Sequence, residues 1–176
     1  MLGKRAEITE KKEGSKTIQI LQTSEGELTR IIQKTEKTRA TVNYFCKDKA
    51  DVEKYLSVPF EPVTPNVKKF VNRKEEIGEE GLIMGNLHDA MNLIACMFST
   101  EDFCLFWKDN KDLTKKLFEI ASRRVNDFTR KACKMGVDVF RITGGEYATQ
   151  IMGLNGFKEL VKPYDKRLCK IIHDYG

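Results

Sequence analysis

Val137-Asp138-Val139-Phe140-Arg141-Ile142-Thr143 runs directly into Gly144-Gly145-Glu146-Tyr147, and the reading of this stretch decides the fold. The first part is β-branched and apolar and follows the helix-stopping Gly136, so it reads as a buried strand of a parallel sheet. The second part sets two glycines and a carboxylate where that strand stops. In (β/α) architectures, ligands are met where strands end and the following loops begin. Glycine lets the backbone take φ > 0 or approach a ligand closely, and Glu146 is the nearest side chain able to do acid–base or ligand chemistry. The same residues also suit a plain tight turn before the next helix, with Glu146 solvated.

Working outward, Gly81-Leu82-Ile83-Met84-Gly85-Asn86 is a short apolar run, read as a second parallel strand over 82–86. It leads into a helix over 87–98 whose early turns hold His88 and Asp89. Asn86 and His88 sit where a ligand could be met. A helix start accounts for them as well, with Asn86 as cap and Asp89 favouring the helix dipole, and capping is the preferred reading of the cluster. Ser99 and Thr100, followed by Glu101 and Asp102, open a further helix with Phe103, Phe106 and Trp107 on its apolar side. Leu113, Leu117, Ile120, Ala121, Val125, Phe128 and Ala132 recur at helical spacing along a helix from Asn110 or Asp112 to about Met135. After the central strand, Asn155 is placed to cap a short helix, and Pro163 restarts the chain into a last one.

Residues 4–45 have a different character. Short alternating runs separated by Lys11-Lys12-Glu13-Gly14-Ser15 and Ser24-Glu25-Gly26 predict a small antiparallel sheet, polar on one face. Asp48 can cap a helix over 49–56, Pro59, Pro62 and Pro65 stiffen the connection that follows, and 66–77 reads as an amphipathic helix. The expected organisation is an N-terminal antiparallel β segment, 1–47, then an α/β region, 48–176. Strands alternating with helices require a parallel sheet, yet only 82–86 and 137–143 qualify, whereas a closed (β/α)8 TIM barrel needs eight. The prediction is an incomplete barrel portion.

With 176 residues, 40% of them apolar and 32% charged, the chain has the make-up of a globular domain with a real core. The net charge of +5 comes from Lys and Arg scattered among Glu and Asp, so nucleic acid is not an expected partner. No apolar run approaches the roughly 20 residues that cross a bilayer, and Met1-Leu2-Gly3-Lys4-Arg5-Ala6-Glu7 lacks the apolar core of a signal peptide. No membrane partner and a cytoplasmic location are expected by default. The five cysteines, Cys46, Cys96, Cys104, Cys133 and Cys169, are widely spaced with no Cys-x-x-Cys pair. They are expected to be reduced, and no metal ligand is assigned.

Phe140-Arg141-Ile142-Thr143-Gly144-Gly145-Glu146-Tyr147-Ala148-Thr149, Phe157-Lys158-Glu159-Leu160-Val161-Lys162-Pro163-Tyr164-Asp165-Lys166 and Ile171-Ile172-His173-Asp174-Tyr175-Gly176 resemble the uroporphyrinogen decarboxylase superfamily. They look most like its branch of cobalamin-dependent methyltransferases. Thr23-Ser24-Glu25-Gly26-Glu27-Leu28 and Asp51-Val52-Glu53-Lys54-Tyr55-Leu56-Ser57-Val58-Pro59 fit more weakly. The resemblance implies a (β/α)8 barrel with its site at the strand ends, and it covers the front and middle of such a domain. The decarboxylases' arginine-rich motif and early aspartate are not recognisable. Their tyrosine falls near Leu93 and their serine near Gly144 or Gly145, which argues against porphyrinogen decarboxylation. The methyltransferase branch implies zinc and a corrinoid, with the zinc held by a His-x-Cys and a later Cys that fall after Gly176. The function this implies is a zinc/corrinoid-dependent methyltransferase fragment, inactive alone, moving a methyl group between a corrinoid and a thiol. Glu146 is its candidate catalytic residue, and Asn86, His88, Gly144, Gly145 and Tyr147 its candidate binding residues. The alternative is a non-catalytic association module. Either way the expected partner is a second copy or a complementary barrel half, with a corrinoid protein for the enzyme.

Overall fold

Alternation of polar and apolar residues near the start of the chain produces a four-stranded antiparallel sheet: β1 (Ile8–Glu13), β2 (Lys16–Thr23), β3 (Gly26–Lys34) and β4 (Arg39–Asn43), in spatial order β1-β2-β3-β4. The structure, a computed structural model, describes residues 2–143 and 151–175. Gly14, at φ +57°, takes the first position of the two-residue β1–β2 turn, where an L side chain would be strained. Thr23 closes the next turn, its hydroxyl donating to the Gly26 carbonyl at 2.6 Å and accepting the Glu25 N–H at 3.1 Å. On one sheet face Leu21 opposes Leu28 and both are buried. The same face carries a polar ladder in which Arg30 Nε donates to Gln19 Oε1 at 2.8 Å and Gln19 Nε2 donates to Glu10.

The sheet belongs to a compact unit made of residues 1–61 and 95–114. Helix α1 (Lys49–Ser57) starts at Asp48, whose carboxylate accepts the Asp51 N–H at 3.0 Å as a cap. It packs Val52 and Tyr55 against β2 and β3. The Ser99 hydroxyl accepts the Asp102 N–H at 3.1 Å and so caps α4 (Thr100–Asp109). Phe98, Phe103 and Phe106 stack beneath α4 with ring centroids 5.1 and 5.8 Å apart, as core side chains rather than a stacking platform for a ligand.

The second unit comprises residues 62–94 and 115–176. In chain order it contains α2 (Lys68–Ile77), a 3-10 turn at 78–80, β5 (Gly85–His88), most of α3 (Ala90–Ala95), the greater part of α5 (Lys111–Lys134), and β6 (Phe140–Thr143). After residue 150 come α6 (Gly153–Gly156), a π turn (Phe157–Val161) and α7 (Lys162–His173). Gly136, at φ +95°, ends α5, and the Val137 N–H donates back to the Ala132 carbonyl at 3.1 Å. Lys74 of α2 is ion-paired with Asp138, just ahead of β6.

β5 and β6 pair in parallel, Gly85 with Phe140, Asn86 with Arg141, Leu87 with Ile142 and His88 with Thr143. Both expected parallel strands therefore exist, with shifted limits. The first lies at 85–88 instead of 82–86, and Leu82 and Met84 are 67% and 52% exposed. The second begins at Phe140 instead of Val137. Leu87, Phe140 and Ile142 turn to one face, where they pack with Val125 of α5 and Leu168 and Ile172 of α7. Helices thus cover one side of the parallel pair, as crossover connections require.

Candidate functional site

Successive side chains of a strand point to opposite faces. With Leu87 on the helix-covered face, Asn86 and His88 lie on the other, and both are exposed. Arg141, also exposed, is Asn86's partner in the parallel register and shares that face. The sequence reading missed Arg141, because an arginine inside an apolar run shows its face only once pairing is known. Gly144, Gly145, Glu146 and Tyr147 lie outside the described residues.

Asn86 was expected to cap the following helix; it is a strand residue instead. Asp89 is the cap, its Oδ1 accepting the Asn92 N–H at 2.6 Å and its main-chain carbonyl accepting the Leu93 N–H at 3.2 Å. Two residues further into β5 than expected, the chain still pairs with β6, so the helix starts later. Asn155 likewise does not cap a helix, since α6 already begins at Gly153.

Asp89 does more than cap. Its side chain is wholly buried, and Oδ2 has no hydrogen-bond partner among the described residues. Burial pushes its carboxyl above the usual carboxylate range, while the Asn92 N–H and the charge of His88 act in the opposite direction. Asp165 on α7 is half-buried and is pushed up to about 7, first by burial and then by the negative charge of Asp89. The two acids adjoin one cluster in sequence, Asp89 two residues past Leu87 and Asp165 three before Leu168, and the charge of Asp89 is felt at Asp165. The supported division puts the charge on Asp89, which has an N–H donor and a histidine beside it, and the proton on Asp165.

His173 is exposed at the end of α7, where it complements the helix dipole, with Lys170 and Asp174 ion-paired at 3.2 Å one turn apart. All five cysteines are free thiols, and burial pushes the Cys46 thiol well up, away from the reactive thiolate form. Among the described residues no three His, Cys, Asp or Glu side chains gather as a metal site. The zinc implied by the methyltransferase resemblance therefore does not fit these residues. No helix among the described residues is long and apolar enough to cross a membrane.

These elements define a mixed α/β protein whose parallel strands carry exposed polar side chains on one face and run on into the buried Asp89. The chain belongs to the uroporphyrinogen decarboxylase (URO-D) family, whose sequence model matches residues 15–176. No curated protein and no solved structure matches it.

Proposed function

We propose that this chain supplies one wall of a URO-D-type (β/α)8 barrel, with 1–47 as an N-terminal β domain and 48–176 as the barrel portion. The reaction assigned to that barrel is methyl transfer between a corrinoid and a thiol. The observation that carries the reading is the sidedness of β5 and β6. Their apolar face is covered by α5 and α7, while Asn86, His88 and Arg141 open on the other. In a (β/α)8 barrel the helices lie outside and the strand ends frame the site. Decarboxylation is disfavoured because the decarboxylases' tyrosine falls near Leu93, an apolar residue that packs against the Leu87 cluster. Within this reading Glu146 is the acid–base or ligand group, Gly144, Gly145 and Tyr147 are binding residues, and the metal ligands come from the complementary barrel half.

The chain should be assayed for corrinoid-to-thiol methyl transfer alone and with a complementary half bearing the His-x-Cys and later Cys. Turnover is expected only in the mixture, and Glu146→Gln should abolish it without loss of folding. Full activity in that variant would remove Glu146 from the chemistry; a silent mixture would remove the reaction.

A second reading, a non-catalytic association module, draws on a separate observation. The described part of the parallel sheet has just two strands, and the segment entering β5 exposes Leu82 and Met84. Unpaired strand edges beside apolar surface favour added strands. Self-association or union with a barrel half is the expected consequence, and a strict monomer by light scattering at micromolar concentration counts against it.

A further inference from the structure

We propose that the face of the N-terminal sheet turned away from α1 is a homodimer interface, on which Ile18, Ile20 and Ile31 of one copy pack against the same residues of a second copy. This surface belongs to the N-terminal unit, and it stands apart from both the barrel reading and the β5 edge described above.

Strand alternation sorts the side chains into two faces. Leu21 and Leu28 turn to the α1 side together with Gln19 and Arg30. In the same register Ile18 opposes Ile31 and Ile20 opposes Thr29 on the other face, with Thr9 and Lys11 of β1 beside them. The three isoleucines are half-buried, while Thr9, Lys11, Lys16, Gln22, Glu27 and Thr29 around them are exposed. A solvated antiparallel face is normally polar throughout. An apolar centre within a polar rim is instead the anatomy of an interface.

Charge selects the occupant. Near the β1–β2 turn this face carries Lys11, Glu13 and Lys16; Glu13 is ion-paired with Lys11 at 2.6 Å, so Lys16 leaves that end net positive. At the opposite end Glu27 accepts the Gln22 amide at 2.8 Å, a neutral donor that leaves the negative charge standing. Gln22 is the cross-strand partner of Glu27, and it lies six residues along β2 from Lys16. That separation is about 20 Å, too far for Lys16 and Glu27 to pair within one chain.

A two-fold axis lying between two such sheets and across their strands brings opposite ends together. It sets the Ile18–Ile31 row of one copy over the Ile20–Thr29 row of the other, and each Lys16 over the Glu27 end of the other copy. The face is therefore complementary to itself. Four strands of this length outline on the order of 500 Å² at ordinary strand spacing. Two copies then bury about 1,000 Å², the floor for a specific interface, and a dimer of micromolar Kd is expected.

The test is sedimentation equilibrium of the whole chain, with circular dichroism as the check on folding. Lys16→Glu and Glu27→Lys should each weaken the dimer about tenfold, because a two-fold interface counts every substitution twice. An equimolar mixture of the two variants should regain the parent affinity, since the heterodimer restores both opposite-charge pairs. Ile31→Lys should give a folded monomer. A monomeric parent, a mixture no tighter than either variant alone, or a dimer that survives Ile31→Lys would overturn the interface. If Ile31→Lys does not fold, the mixture still decides, because Lys16 and Glu27 are exposed. Association abolished by Leu82→Lys and untouched by Ile31→Lys would place the contact at the β5 edge, sinking this face and leaving the association-module reading intact.

Discussion

Asp165→Asn separates a proton-carrying acid from an ordinary surface aspartate through the pH dependence of stability. In the unfolded chain Asp165 titrates near the ordinary 3.8; folded, it is pushed up to about 7 by burial and by Asp89. Between those values the folded chain holds a proton that the unfolded chain has lost. Stability is therefore fully present below about pH 4, declines as pH rises toward 7, and falls no further above it. Each pH unit is worth about 1.4 kcal/mol, so the gap sets a ceiling of about 4 kcal/mol. Asp165 is only half-buried, and solvent screening reduces the expected effect to about 2 kcal/mol. Asparagine keeps the shape and has no proton to lose. Urea unfolding followed by circular dichroism from pH 4.5 to 8 should give a flatter curve for the variant, which becomes the more stable protein by about 2 kcal/mol at pH 8. Parallel curves for the two proteins would mean that the carboxyl of Asp165 is not held protonated and that the acid pair does not operate.

Leu168→Ala removes a side chain that is 2% exposed in the cluster joining β5, α5 and α7; chemical denaturation should show a loss of about 2–5 kcal/mol, and a loss under 1 kcal/mol would mean the cluster is loosely packed. Ser99→Ala deletes the hydroxyl that accepts the Asp102 N–H, and a cost of about 1 kcal/mol is expected in the same assay. An alanine variant as stable as the parent would show that α4 does not depend on this cap.

The antiparallel sheet, the Asp48 and Ser99 caps and the long helix α5 were legible because each is written locally, in alternation, in a hydroxyl or carboxylate before an apolar run, or in a helical period closed by glycine. β5 was displaced for a physical reason. Leu82, Ile83 and Met84 have strand composition, but pairing begins at Gly85, where an added Cβ would lie 3.6 Å from Phe140 Cδ1 of β6 and 3.0 Å from Val137 Cγ1 just ahead of it. That closeness belongs to the partner strand and leaves no mark among residues 82–84. The candidate site was legible in position and not in membership. Asn86 and His88 were placed at a strand end, whereas Arg141 depended on register and Asp165 on its opposition to Asp89. Asp165 sits amid Lys166, Arg167 and Lys170, and such a run reads as a solvated helix face until the carboxylate across from it is known.

The two units are woven from one thread. Residues 95–114 complete the same body as 1–61, and the Cys46 N–H reaches the Met97 carbonyl at 2.9 Å across that gap. On a translating ribosome the N-terminal sheet is made early but must wait until 62–94 have been synthesised before its last pieces arrive. No single scissile bond then parts one body from the other, and isolating the first would take an engineered splice from Glu61 to Ala95.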